Sequence, residues 1–152
     1  MLHLTFLISD MPDLKIRLAT LEDAVGIAYV QYHCWQETYR GFINDSYLNA
    51  ISLEERTVRW NKNLQSPLGL NDVLLNEDKE IIGYVSCGKN RSNKLDCKGE
   101  IYAFYLLKKY HGLGLGKQLF KHAVNRLRQS GFQSFCVFVL LHNPAVHFVQ
   151  KI

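Results

Sequence analysis

Apolar side chains recur every third or fourth position through Leu21, Val25, Ala28, Tyr32, Trp35 and Tyr39, which is the spacing of one helical face. Before them, Leu14 to Ala19 reads as a short strand. Thr20 and Asp23 then form a helix start like a capping box, with Asp in the usual Glu/Gln place. Gly41 ends this helix, and Asp45 to Ala50 predicts a further helical turn. Ser52 with Glu55 is a full capping box and opens a helix to about Leu64. Pro67 and Gly69 mark a loop over Ser66 to Leu70.

The pattern then changes from helical to strand spacing. Asp72 to Asn76 and Ile81 to Cys87 predict a hairpin around Glu77-Asp78-Lys79-Glu80. Gly88 to Lys98 is a polar loop, and Glu100 to Leu107 an aromatic-rich strand. Leu115, Leu119, Phe120, Ala123 and Leu127 stripe a helix that stops at Gly131. Phe135 to Leu141, apolar on both faces, predicts a buried parallel strand, and Asn143 to Ile152 a last helix. The order β-α-α-β-β-β-α-β-α implies an α+β fold with a mixed, mostly antiparallel central sheet flanked by helices. Residues 1–13 read as an N-terminal extension and 14–152 as one domain.

Composition narrows the function. A chain of 152 residues that is 47% hydrophobic and 21% charged is globular and of single-domain size. The net charge of +4 is unevenly placed: residues 1–100 carry all 14 acidic groups against 11 Lys/Arg, while 101–152 carry 7 Lys/Arg and no acid. A basic C-terminal third suits a polyanionic ligand. It also suits nucleic acid, but the charges sit mostly on one helix without zinc-finger spacing or an RNP-type motif, so no nucleic-acid partner is expected. The four cysteines show no metal-ligand spacing, so no metal is expected. Cys87 and Cys97 could face each other across a hairpin, but reduced thiols are the stronger reading. No run approaches a membrane span of about 20 apolar residues, and Met1 to Ile8 makes a poor signal peptide. A cytoplasmic protein without a membrane partner is expected.

The most informative segment is Tyr110-His111-Gly112-Leu113-Gly114-Leu115-Gly116-Lys117, between an aromatic strand and an amphipathic helix. Glycines let backbone N–H groups approach a ligand closely, and a helix N-terminus attracts phosphate. The dinucleotide fingerprint fails because Lys117 stands where its third glycine belongs and no acid follows for a ribose. The phosphate loop of nucleotide hydrolases fails at His111 and Gln118.

His111-Gly112-Leu113-Gly114-Leu115-Gly116 does resemble the acyl-CoA signature R/Q-x-x-G-x-G/A of the GCN5-related N-acetyltransferase (GNAT) superfamily, with histidine in the Arg/Gln place. Ile16-Arg17-Leu18-Ala19-Thr20 with Glu22-Asp23-Ala24 resembles the family's opening strand and helix. Trp35 to Gly41 resembles its acceptor-side segment, and Asn143-Pro144-Ala145 through Phe148 its last helix. The resemblance implies the acyl-CoA N-acyltransferase fold and acetyl-CoA as acyl donor. It places the pyrophosphate on backbone N–H groups from His111 through Gly112, Leu113, Gly114, Leu115 and Gly116 to Lys117. The pantetheine arm would meet the backbone of Phe104 and Leu106, with Asn143 and Phe148 nearby. Trp35, Tyr39 and Arg40 would line the acceptor side. The expected activity is acetyl transfer to a primary amine of a small molecule or an exposed amino group.

Removing the amine proton calls for a base, and no acid lies beyond position 100. Glu100 is the first candidate and Glu37 the second. The family often supplies a proton donor as a tyrosine in a pattern like N-x-x-A-x-x-F-Y. Here one residue fewer separates Asn143 from Ala145, and Val149 stands in the tyrosine's place. A non-catalytic CoA-binding relative is therefore the alternative. Relatives continue into a closing strand for which this sequence shows no counterpart. The exposed edge this leaves predicts a homodimer contact.

Overall fold

The computed structural model describes residues 15–92, 96–140 and 143–151. The N-terminal extension, Leu14, Leu141 and Ile152 lie outside them. Five strands form one sheet in the order β1-β2-β3-β4-β5: β1 Lys15–Leu18, β2 Leu70–Leu75, β3 Ile81–Lys89, β4 Gly99–Leu106 and β5 Phe135–Val137. The first three pairings are antiparallel and β4–β5 is parallel. Five α-helices accompany them: α1 Ala24–Tyr39, α2 Asp45–Ala50, α3 Leu53–Leu64, α4 Leu115–Gln129 and α5 Ala145–Lys151. This is the mixed, mostly antiparallel sheet that the sequence predicts.

Local chemistry accounts for the element ends. Asp23 accepts from the Thr20 N–H at 2.7 Å while two nitrogens of Arg17 reach its carboxylate at 2.7 and 3.0 Å, so one acid caps the helix and ties it to β1. Ser52 accepts from the Glu55 N–H at 3.2 Å and starts α3. Gly131, with φ +89°, follows the end of α4.

Helices cover both faces of the sheet. Tyr84 of β3 meets Trp60 of α3 edge-on, with ring centroids 5.1 Å apart, while the neighbouring Gly83 lies against Leu119 of α4. The α4 stripe Leu115, Leu119, Phe120, Ala123 and Leu127 is buried as predicted. Full burial of a Leu such as Leu119 contributes roughly 1.5–3 kcal/mol.

Three expectations need correction. The buried residues of α1 are Ala24, Ile27, Ala28, Val30, Cys34 and Tyr39, so of the expected stripe Ala28 and Tyr39 are buried, whereas Leu21 and Val25 are exposed. The helix is apolar nearly all round, so spacing alone admits more than one buried face. β2 begins at Leu70 inside the predicted loop, and β3 runs on to Lys89. β5 is three residues long, not seven, and Phe138 and Leu140 beyond it are 59% and 54% exposed. Its ladder ends at Ile101↔Val137, next to an irregularity in β4 described below. All four cysteines are free; Cys87 is buried, and the Cys97 thiol accepts from Asn90 Nδ2 at 3.2 Å instead.

Candidate active site

After β4 a single 3-10 turn, Lys108–Tyr110, leads into the glycine segment. Gly112 and Gly114 have φ of +80° and +78°, and a Cβ at either would meet nothing within 4 Å. Glycine is needed there for the left-handed backbone, not for lack of room. Gly114 is the N-cap of α4, and Gln118 N–H is the amide that returns to its carbonyl, at 3.2 Å. The N–H groups of Leu115, Gly116 and Lys117 therefore belong to the unpaired first turn. His111 is different: its N–H donates to Lys108 O at 3.0 Å, so it is not free for a phosphate as the sequence reading supposed. The cradle begins at Gly112. Leu113 and Lys117 are exposed at its rim, while the Leu115 side chain is buried in the core.

The strand leading to this turn has an open outer edge. Gly99 N–H points toward the β5 side, donating to Ser134 O at 2.8 Å, whereas Leu107 N–H points to β3, donating to Ile82 O at 2.9 Å. Strict alternation cannot give both. The difference is absorbed where Cys87 opposes Ile101 and Ser86 opposes Ala103, leaving Tyr102 as one extra residue, a β-bulge. Beyond it, Phe104 and Leu106 turn their backbone groups away from β3 and past the end of β5. The Leu106 carbonyl is already used, with His111 Nε2 at 2.8 Å and Cys34 Sγ at 3.4 Å. Because a carbonyl only accepts, Nε2 carries the proton. The Leu106 N–H and both groups of Phe104 remain for a ligand.

On the α4 face, Phe148 stacks on Phe104 at 5.7 Å, and its ring is 3.5 Å from where a Cβ of Gly116 would stand. On the α1 face, Trp35 Nε1 donates to the Tyr105 hydroxyl at 2.9 Å and packs edge-on against Tyr39. Asn143 caps α5, accepting from Ala145 N–H at 2.9 Å, and its Nδ2 donates to the Tyr39 hydroxyl at 3.0 Å. Phe104, Leu106, the glycine turn, Phe148, Asn143, Tyr39 and Trp35 are thus gathered around one end of β4. Arg40 is not part of this group, being turned to Gln36 and, at 3.7 Å, to Asp45.

Glu100 lies at the far end of β4 and is not a free base. Arg91 binds it with its backbone N–H at 2.8 Å, Nη2 at 2.8 Å and Nε at 3.3 Å, engaging both oxygens. Burial pushes its carboxyl up, but the Arg91 side-chain and backbone hydrogen bonds and the guanidinium charge outweigh this and hold it below the usual carboxylate value. Glu37 is exposed on α1 and acts electrostatically on Cys34, whose thiol burial pushes up to about 12. Sequence reasoning missed Arg91, which lies in a segment marked only as a polar loop. On the same face as Glu100, an open cavity of about 580 Å³ lies above Tyr102 and Ala103.

Among the described residues no cluster of His, Cys, Asp or Glu could hold a metal ion, and no helix is long and apolar enough to cross a membrane. A family model described as "Acetyltransferase (GNAT) family" matches residues 27–152. An uncharacterized N-acetyltransferase, YuaI, of Bacillus subtilis (strain 168) is 34% identical over 137 residues, covering 89% of this chain and 76% of that protein. The PaiA N-acetyltransferase of Thermoplasma acidophilum, solved with coenzyme A, superposes with a TM-score of 0.72 at 23% identity, over 91% of this chain and 87% of that one. A possible acetyltransferase from Clostridium difficile 630 gives 0.69 at 18% identity, over 91% and 87%. At these identities the solved structures show a shared fold.

Proposed function

The chain belongs to the GNAT acetyltransferase family, and on that footing we propose that it is an acetyl-CoA-dependent N-acetyltransferase acting on a primary amine of a small molecule or an exposed amino group. The observation that carries this reading is the pairing of two features at one end of β4. The turn with Gly112 and Gly114 presents unpaired helix N–H groups, and beside it the strand edge has free amides at Phe104 and Leu106. The residues present therefore fit coenzyme A. Backbone N–H groups from Gly112 to Lys117 hold the pyrophosphate, and the outer edge of β4 takes the pantetheine arm. Lys108, Lys109 and Lys117 add positive charge around this end.

Bound acetyl-CoA supplies an acetyl thioester, whose carbon forms the new bond to the amine nitrogen as its bond to sulfur breaks. The amide nearest the closed end of the slot, Phe104 N–H, polarises the acyl carbonyl. Glu100, committed to Arg91, is a poor proton acceptor, so Glu37 acting through water takes the amine proton. Val149 cannot donate a proton. The Tyr39 hydroxyl accepts from Asn143, which leaves its own proton to give to the departing thiolate. Four free cysteines and a coenzyme A requirement suit the cytoplasm.

Calorimetry with acetyl-CoA tests the donor site: no heat at millimolar ligand ends the proposal. Val149 also favours a second reading, a relative that binds coenzyme A without turnover. Thiol release over a panel of amines separates the two, and turnover of any amine excludes the second.

A further inference from the structure

The cavity above Tyr102 and Ala103 is walled by Gln31 of α1 and by Trp60 and Asn63 of α3, with Ser86 on its floor. Among the described residues its lining carries two charged side chains, Lys89 and Arg91, and no acidic one. The acids that dominate the first two-thirds of the sequence are elsewhere, and the nearby Glu100 is covered by Arg91. Arg91 is fixed on two sides. Nε and Nη2 bind Glu100, and the guanidinium carbon lies 4.0 Å from the centroid of the Tyr102 ring. The side chain is still 65% exposed, and Nη1 has no hydrogen-bond partner among the described residues. The Lys89 ammonium has no partner among them either; its backbone carbonyl accepts from the Tyr102 hydroxyl, which ties the two strand ends together.

An unpaired ammonium and a pinned guanidinium, in a cavity that also offers amides and hydroxyls beside Trp60, Leu68 and Ala103, are a setting for an anion. Ala103, which also lines the cavity, precedes Phe104, whose amide faces the outer edge of β4. From Tyr102, on which Arg91 stacks, to Phe104 is two strand residues, roughly 7 Å. We propose that this cavity is the acceptor subsite and that the acceptor is an amine carrying a carboxylate or phosphate at its far end, held by Lys89 and Arg91. The proposal rests on the acetyltransferase reading above.

Matched six-carbon amines test it by thiol release at saturating acetyl-CoA: aminohexanoate, aminohexyl phosphate, hexylamine and diaminohexane. The full chain should prefer an anionic acceptor over hexylamine and diaminohexane by about tenfold or more in kcat/KM, the effect expected of a charge-assisted contact. The carboxylate and phosphate arms show which anion fits. Lys89→Glu should abolish the preference and Lys89→Arg keep it, with the KM for acetyl-CoA unchanged in both. A preference for diaminohexane, or an unaltered ranking in Lys89→Glu, overturns the proposal. If acetyl-CoA binds but no amine turns over, the catalytic reading fails separately. The cavity is then judged by titrating aminohexanoate and aminohexyl phosphate into CoA-saturated protein and following tryptophan fluorescence. Binding that Lys89→Glu abolishes sustains the site, and no binding removes it.

Discussion

His111 Nε2 lies 2.8 Å from the carbonyl oxygen of Leu106, so the start of the glycine turn is fastened to the last residue of β4. That bond joins the two parts of the proposed donor site, the glycine turn and the outer edge of β4. A hydrogen bond of this kind is worth about 0.5–1.5 kcal/mol, so His111→Ala should weaken acetyl-CoA binding by up to about tenfold. His111→Gln, which keeps a donor, should restore part of it. Calorimetry decides; wild-type affinity in the alanine variant would show the contact to be incidental.

Gly114 and Gly116 should respond differently. Gly114→Ala meets open space but a φ of +78°, and should cost about 1 kcal/mol of stability. Gly114→Glu should in addition abolish acetyl-CoA binding, since it puts a negative side chain at the cradle. Gly116→Ala meets the Phe148 ring at an ordinary 3.5 Å, so the fold should tolerate it while donor affinity falls. Thermal melts beside calorimetry separate the effects, and unchanged affinity in Gly114→Glu would place the pyrophosphate elsewhere.

If Tyr39 protonates the leaving thiolate, Tyr39→Phe should lower kcat by on the order of 10²-fold with little change in the KM for acetyl-CoA. The same variant loses the bond to Asn143, so melting must be followed in parallel. A kcat equal to wild type in a folded Tyr39→Phe protein would assign the proton to water.

Much of the scaffold was legible because its signals are local. The box at Thr20/Asp23, the Ser52 cap of α3, the hairpin strands and the α4 stripe each depend on residues within a few positions. The glycine turn was legible for the same reason. What escaped depends on distant partners. The Tyr39–Asn143 bond spans 104 positions, and no periodicity encodes it. The bulge at Tyr102 was hidden because Ile101 to Leu106 is apolar throughout, so an extra residue leaves no break in the pattern. β5 looked long because apolarity on both faces signals burial, yet strand length is set by what lies alongside. Glu100 was found as a conspicuous acid, but its partner was in a loop read only for its polarity.

Glu100 gives a pH signature of stability. Its folded carboxyl lies below the ordinary value of 4.5, so its contribution is complete above that pH and is lost as pH falls through the lowered folded value. Glu100→Gln should therefore be less stable than wild type at neutral pH, by about 1–3 kcal/mol for hydrogen bonds to a charged group. The difference should shrink as pH drops below 4.5. Its pH–rate profile should keep the wild-type shape, while that of Glu37→Gln should not. Melts across pH and initial rates check both; a shifted profile in Glu100→Gln would return the base to that residue.

Among the described residues β5 is one of the two edge strands of the sheet, and the exposed Phe138 and Leu140 follow it. A second copy of the chain is expected to cover this edge. Light scattering at low concentration should report a dimer that Phe138→Asp dissociates; a stable wild-type monomer would contradict it.

Tyr102 also bears on how the length of β4 can change. Bulges bend a strand, and the bend carries β4 away from β5 after Ile101. Deleting Tyr102 would leave the other β4 residues facing the sides they face now, because the extra position shares its side with Ala103. The strand would then run straight, and pairing with β5 could continue past Val137. Such a deletion would make a more regular sheet and seal the edge proposed to take the acyl donor. In this segment substitutions are the tolerable change, and the loss of one residue is not, even where it makes the protein harder to unfold.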